Sequence, residues 1–226
     1  MNIIISESQT RNLVKSLSEQ NVLVKAFNRV KGAFDNTPCS TDQTEDANNW
    51  QELYSMLVKG GKVKNGEPML IVWGSSQVMY YTPNGKTLSK QMKVSTGAFG
   101  FTNAEDSGST GTGLMRISNK IKAPRKYQVL VSKKPINLVL GPKMEGTRKD
   151  ETGEVHDAEV LTGILELVGL EQCNKNIYSR SIYIHGTNKE ESLGGKHSNG
   201  CVRVSNEDIL FLLNAIRIGT KLYVKP

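Results

Sequence analysis

Apolar positions along the chain change period twice. Between residues 7 and 31, Leu13, Leu17, Val24 and Phe27, with Val14 and Val30, recur at near-helical spacing. Ser6 is placed to cap that helix and Gly32 to end it. Residues 36–48 are polar and turn-rich and read as a linker. A shorter helix is predicted over about residues 45–58, with Trp50, Leu53, Tyr54 and Leu57 on one side and Gly60-Gly61 stopping it. From Met69 the period becomes two. Residues 69–73 and 77–82 read as strands around a Gly74-Ser75-Ser76 turn, and Asn84-Gly85 is a hairpin signal leading into 87–95. Further strands are predicted at 113–118, 126–131 and 136–140. Residues 157–168 are ambiguous, and Leu161, Ile164, Leu165 and Val168 favour a helix there. An alternating run at 181–185 is a strand. Ser205 then caps a helix whose third residue, Asp208, can return the bond to the cap. Ile209, Leu212, Leu213 and Ile216 form its buried face, Gly219 ends it, and 221–224 is the last strand. Many short strands and one well-made helix near the end predict a mainly β, α+β, sandwich-like domain over residues 61–226. Residues 1–60 form a helical N-terminal extension, as a small accessory domain or as an arm packed on the rest.

Composition bounds the rest. At 226 residues the chain is one domain plus an extension, or two small domains. No run of 18 apolar residues exists, so no membrane span is expected. The start has no basic segment and no apolar stretch of useful length, and reads as lacking a signal peptide. The net charge of +7 suits either general solubility or attraction to an anionic polymer. Nucleic acid is disfavoured as a partner, because Lys and Arg are scattered and no recognition motif occurs. The three cysteines, Cys39, Cys173 and Cys201, and three histidines have no metal-binding spacing, so neither a metal nor another cofactor is expected. A Cys39–Cys173 bridge is arithmetically possible in an exported chain, but two unpaired thiols are the preferred reading.

The chemistry sits in the last quarter. His185 opens His185-Gly186-Thr187 at the end of a strand, and Cys201 lies sixteen positions later in Ser198-Asn199-Gly200-Cys201-Val202-Arg203. A thiol alone is a poor nucleophile near neutral pH, and a positioned imidazole can take its proton. Taken singly, each residue is as compatible with a buried structural role. The pair, with glycine beside both, reads as a catalytic Cys/His couple.

These segments resemble the L,D-transpeptidase (YkuD-type) catalytic domain. The likeness rests on His185-Gly186-Thr187, Leu193-Gly194 and the Ser198–Arg203 run. It continues through Ser205-Asn206-Glu207-Asp208 and Gly219-Thr220. Upstream it includes Val94-Ser95-Thr96-Gly97, Ser109-Thr110-Gly111-Thr112-Gly113, Thr162–Leu167 and Gly169-Leu170. It runs from about Met69 to the C-terminus and implies an L,D-transpeptidase-like β-sandwich with a helix after the Cys. Asn199 stands where the family commonly has a second His. Gly111 replaces a usual Pro, which predicts a looser loop.

The resemblance implies that the Cys201 thiolate attacks a peptidoglycan stem tetrapeptide, releases D-Ala as a thioester forms, and passes the acyl group to an amine of a neighbouring stem as a 3→3 cross-link. His185 is then the base, and the Gly186 carbonyl fixes its tautomer. Gly200 clears the approach to the sulfur, and the Gly200 and Cys201 amides are candidate oxyanion donors. Asn199 adds a donor or serves as a turn residue, and Ser198 orders the loop. Arg203 meets a substrate carboxylate or forms a structural ion pair. Thr187 and His197 are candidate substrate-side residues. The alternatives on the same scaffold are an L,D-carboxypeptidase and a non-catalytic wall-binding module. Carbapenem-type β-lactams are implied as acylating inhibitors, and an extracytoplasmic location is implied despite the start of the chain. Residues 143–157 are long, charged and Gly-containing, and form either a flap over the site or a surface excursion.

Overall fold

The computed structural model of the chain describes residues 46–141, 147–149, 155–157 and 159–226. The helix expected over 7–31 and most of the polar linker lie outside the described residues. The first described helix, α1 (Trp50–Lys59), starts at the first residue of its apolar pattern, later than the expected start near residue 45, because Asn49 caps it by accepting the Glu52 amide. Gly60 ends it.

A ten-stranded sheet organises the molecule. Its path runs β3 (Lys90–Lys93), β2 (Val78–Thr82), β1 (Met69–Trp73), β14 (Lys221–Lys225), β5 (Gly113–Lys122), β10 (Leu161–Gly169), β11 (Tyr183–Gly186) and β13 (Val202–Val204). A hairpin of β6 (Gln128–Val131) and β7 (Lys134–Val139) joins beside β10. The C-terminal strand β14 slots parallel to β1 and antiparallel to β5, and β11 and β13 also run parallel. Neighbours along the rest of the path are antiparallel. A second helix, α2 (Asn206–Ala215), follows β13. Two short pairs complete the described strands: β4 (Thr96–Gly97) with β12 (Lys196–Ser198), and β8 (Thr147–Lys149) with β9 (Val155–Asp157).

Side-chain alternation shows why so many strands carry continuous apolar runs. Leu70 and Val72 of β1 enter the main core, whereas Met69 and Ile71 point the other way against Trp50, Leu53, Tyr54 and Leu57 of α1. Leu222 and Val224 of β14 divide from Tyr223 in the same manner. Both faces of the central strands are therefore covered, and polar positions drop out. The main core takes side chains from β2 and β3 at one end of the path and from β11 and β13 at the other, with Ile209, Leu212 and Leu213 of α2. The ends are also joined through the backbone: Ser95 and Arg203 exchange both amide-to-carbonyl bonds, at 3.0 and 2.9 Å. The sheet thus wraps round one core, in keeping with the expected mainly β, sandwich-like domain with a helix after the Cys.

One element differs from its sequence pattern. Residues 161–169 form the strand β10, not a helix. Leu161 to Leu167 are all buried, so no alternation remains to mark a strand. The helical spacing of Leu161 and Ile164 comes from a register shift between them, where Thr162 takes a positive φ of 68°. Both side chains then meet satellite clusters that include Val129 and Leu130 of β6, while Leu165 and Leu167 enter the main core. At α2, Ser205 accepts the Asp208 amide at 3.0 Å as expected, but the Asp208 carboxylate pairs with Lys90 at 2.7 Å.

Candidate active site

The site is built where β11 and β13 lie side by side. Ile184, Val202 and Val204 point into the main core. Alternation therefore sends Tyr183 and His185 of β11, and Arg203 of β13, to the opposite face. Cys201, two positions before Arg203, falls on that face by the same parity. Register pairs His185 with Arg203, so Cys201 stands one strand across and two residues back from the imidazole.

His185 is buried, and its Nδ1 lies 2.9 Å from the Gly186 carbonyl. A carbonyl only accepts, so Nδ1 carries the proton and Nε2 keeps its lone pair. Burial pushes the imidazole pKa down to about 4, against a smaller upward pull from the Gly186 bond. Gly186 must be glycine because a Cβ there would lie 2.7 Å from Asn206 Oδ1 and 2.8 Å from the Leu161 carbonyl.

Cys201 is half-buried and is the free cysteine among the described residues. Its Sγ is 3.4 Å from the Tyr183 amide, which donates to it, and 3.4 Å from the Ser181 carbonyl, to which the thiol donates. Burial pushes the thiol pKa up, while the Tyr183 amide, Arg203 and Arg180 pull it down. At neutral pH the two groups rest as a thiol and a neutral imidazole.

The loop before Cys201 is held at several points. Ser198 is buried, and its hydroxyl donates to the Cys201 carbonyl at 2.5 Å and accepts from the Gly200 amide at 3.1 Å. The Gly200 amide is thus engaged by Ser198. Gly200 takes a φ of 113°, and a Cβ there would lie 2.8 Å from Ile182 Cδ1 and 2.9 Å from the Ser109 carbonyl. Thr110 Oγ1 donates to the Gly200 carbonyl at 2.8 Å and accepts the Gly97 amide at 2.8 Å. The Gly111 loop, expected to be loose, is pinned by these bonds and by the Thr112 amide on Asn103 Oδ1 at 2.9 Å. Asn199 and His197 are exposed. Thr187 is fully buried, its hydroxyl accepting the Lys189 amide and its carbonyl accepting from Asn206.

Arg203 is buried and paired through Nη2 with Glu159, which also pairs with Lys189. Arg203 and Glu159 act in opposite senses on His185 and on Cys201. Glu159 carried no sequence signal, since it lies in a polar stretch 44 residues from Arg203. Asn206 was missed as well. Buried at the head of α2, it donates to the Thr187 carbonyl at 2.6 Å and to Glu190 at 2.7 Å, and accepts from Thr162 at 2.5 Å. A polar residue directly after a Ser cap is the only sign of it in the sequence. Cys173 is disulfide-bonded, which corrects the preference for unpaired thiols at that position, and Cys39 lies outside the described residues. Among the described residues no group of three or more His, Cys, Asp and Glu could hold a metal, and no helix is long and apolar enough to cross a membrane.

A family model described as the L,D-transpeptidase catalytic domain, YkuD, matches residues 68–224. ErfK/SrfK of Salmonella typhimurium (strain LT2) is 31% identical over 106 residues, 46% of this chain and 33% of that protein. YqjB of Bacillus subtilis (strain 168) is 46% identical over 41 residues, 18% of this chain and 23% of that protein. Both carry L,D-transpeptidase in their names. Each match thus spans at most a third of the relative's length. Among solved structures, an L,D-transpeptidase from Mycobacterium smegmatis aligns with a TM-score of 0.43 at 12% identity, covering 71% of this chain and 59% of that one. L,D-transpeptidase 3 from Mycobacterium tuberculosis, in complex with a faropenem-derived adduct, aligns at 0.43 and 15% identity, covering 70% and 60%.

Proposed function

Because the chain belongs to the family of L,D-transpeptidase (YkuD) catalytic domains, we propose that it is a peptidoglycan L,D-transpeptidase whose nucleophile is Cys201. The observation that carries this is the shared face of β11 and β13, on which a tautomerically fixed His185 and the amide-bonded sulfur of Cys201 stand one strand apart. His185 Nε2 accepts the thiol proton as Sγ attacks the carbonyl between the diamino acid and the terminal D-Ala of a stem tetrapeptide. The imidazolium then protonates the departing D-Ala amine, leaving a thioester on Cys201. An amine from a neighbouring stem attacks next, His185 takes its proton, and the thiol is regenerated as a 3→3 cross-link forms.

An imidazole with its pKa near 4 stays in the base form throughout the neutral range. The amide of Tyr183 is aimed at the sulfur and favours the thiolate as it develops. With the Gly200 amide engaged by Ser198, the Cys201 amide is the nearer candidate for the oxyanion, a donor of the kind typically worth about 3 kcal/mol in the transition state. Arg203, buried on Glu159, serves as an ion pair that fixes the Cys201 segment. The disulfide at Cys173 suits an oxidising compartment, and peptidoglycan lies outside the cytoplasmic membrane, so the site of action is extracytoplasmic.

The test is incubation of the protein with a tetrapeptide stem and mass analysis of the products. D-Ala release with a 3→3 dimer is expected, and Cys201→Ala should abolish both while its unfolding midpoint stays close to that of the parent. A tripeptide without dimer would make the chain a carboxypeptidase. No D-Ala release by the unmodified protein would overturn the enzymatic reading. A carbapenem should acylate the protein once, at Cys201.

A further inference from the structure

Three acceptors of one loop converge on a single guanidinium outside the Cys/His pair. Arg180 donates through Nη1 to the Thr102 carbonyl at 3.0 Å, and through Nη2 to Ser107 Oγ at 3.0 Å and the Ser109 carbonyl at 2.7 Å. The same loop presses on the residue before the nucleophile. The Ser109 carbonyl is the backbone group that a Cβ at Gly200 would strike, beside Ile182 Cδ1, and Thr110 Oγ1 holds the Gly200 carbonyl. Arg180 also begins the run that cradles the sulfur from the other side. The carbonyl of its neighbour Ser181 accepts a hydrogen bond from the thiol, Ile182 abuts Gly200, and Tyr183 donates its amide to Sγ. One side chain therefore ties together the two backbone segments between which Cys201 sits.

The charge matters as well as the fork. The charged groups acting on Cys201 are Arg203, Glu159 and Arg180. Arg203 and Glu159 are paired and pull in opposite directions, and Arg180 adds a smaller downward pull on the thiol. The carboxylates that act on Arg180 are Glu105 and Asp106, both on the exposed side of the loop. Exposed charges are strongly screened by water, whereas a partly buried one is screened less.

We propose that Arg180 is a positioning residue for Cys201: its fork locks the loop 99–110 against the 180–183 run, the two segments between which the sulfur sits. This deepens the reading of Cys201 as the nucleophile and rests on it. Lysine keeps the charge but lacks the planar fork, so it is not an equivalent replacement.

The experiment follows iodoacetamide alkylation of Cys201 by mass spectrometry from about pH 7 to about pH 11, because burial sets this thiol above the ordinary one. The unmodified protein, Arg180→Gln and Arg180→Lys are compared, with unfolding midpoints measured alongside. The half-maximal pH is expected to rise by about one unit in Arg180→Gln, a tenfold slower reaction near pH 7. Arg180→Lys should show a smaller rise, about threefold in rate. A purely structural Arg180 would lower the unfolding midpoint and leave the alkylation profile in place, and that result in Arg180→Lys alone overturns the proposal even where Arg180→Gln does not fold. Tetrapeptide turnover separates the two levels. A reactive Cys201 without D-Ala release sinks the transpeptidase reading and leaves the role of Arg180 standing.

Discussion

His185 is neutral because it is buried, and that neutrality couples folding to pH. Its pKa is near 4 in the fold and about 6.5 in a free chain. Between those values the unfolded chain binds a proton that the folded chain refuses, so stability rises with pH there. The contribution is fully present above about pH 6.5 and is lost as pH falls towards 4, a loss of about 3 kcal/mol. Urea unfolding near pH 7.5 and near pH 4 should show that loss in the parent and not in His185→Gln. An equal loss in both would place the acid sensitivity in the carboxylates instead. At this scale the sequence was readable where chemistry concentrates: Cys201 and His185 stand out because glycine flanks both in a recurring order. It was unreadable where a role depends on a distant partner. Nothing local in Arg203 names Glu159, and nothing in Arg180 names Ser109, since each pairing exists only after the sheet closes. Thr187 looked substrate-facing because it is polar and adjoins the His, yet its hydroxyl and carbonyl are both consumed by the backbone turn and Asn206.

The elements that carry the site are fixed by polar bonds at their ends more than by their own propensities. A short apolar run ended by Gly74 exposed β1, alternation exposed β11, and the apolar face of α2 with its Ser205 cap was equally plain. The strand β10 was hidden because burial on both faces erases the period and a register shift at Thr162 imitates a helical one. That shift has a use: it presents Thr162 Oγ1 to Asn206, which also grips the Thr187 carbonyl next to the His strand. Ser205→Ala should cost about 1 kcal/mol, the usual worth of a cap, with D-Ala release unchanged. Asn206→Ala strips partners from Thr162, Thr187 and Glu190 at once and should cost about 2–3 kcal/mol, with slower D-Ala release. Equal thermal shifts and equal activities for the two variants would mean that Asn206 is only one more helix-end residue. Gly200→Ala meets both a positive φ and the Ser109 carbonyl, so it should lose activity with a stability cost of about 1–3 kcal/mol, read by the tetrapeptide assay and urea unfolding together.

Over the whole molecule the sheet divides labour between its middle strands and one end of its path. In the middle of the path β1, β14 and β5 carry α1, whose Leu53 is fully buried against the outer face. At the β13 end, β10, β11 and β13 carry the candidate site, backed by α2. The stretch read as a helical extension, an accessory domain or a packed arm, thus ends in a helix that helps cover the sheet, and the sequence left that choice open because α1 and its partners Leu114 and Tyr223 lie far apart along the chain. Two substitutions of equal size should then part company. Leu53→Ala removes a buried leucine from beneath α1, and Ile209→Ala removes an isoleucine from α2, where Ile209 Cγ2 would lie 3.0 Å from a Cβ at Gly186. Each should cost about 2–5 kcal/mol, because both leave a cavity in a packed cluster. Below the unfolding transition Leu53→Ala should keep its rate of D-Ala release, since the apolar cluster that α1 packs into takes its buried strand residues from β1, β5 and β14. Ile209→Ala should lose rate at the same fraction folded, because the cavity opens directly under the strand that aims His185. Measuring release at a temperature where both variants are fully folded by circular dichroism decides the matter. Parallel losses in the two would mean that the sheet transmits damage uniformly and that α2 has no special hold on the site.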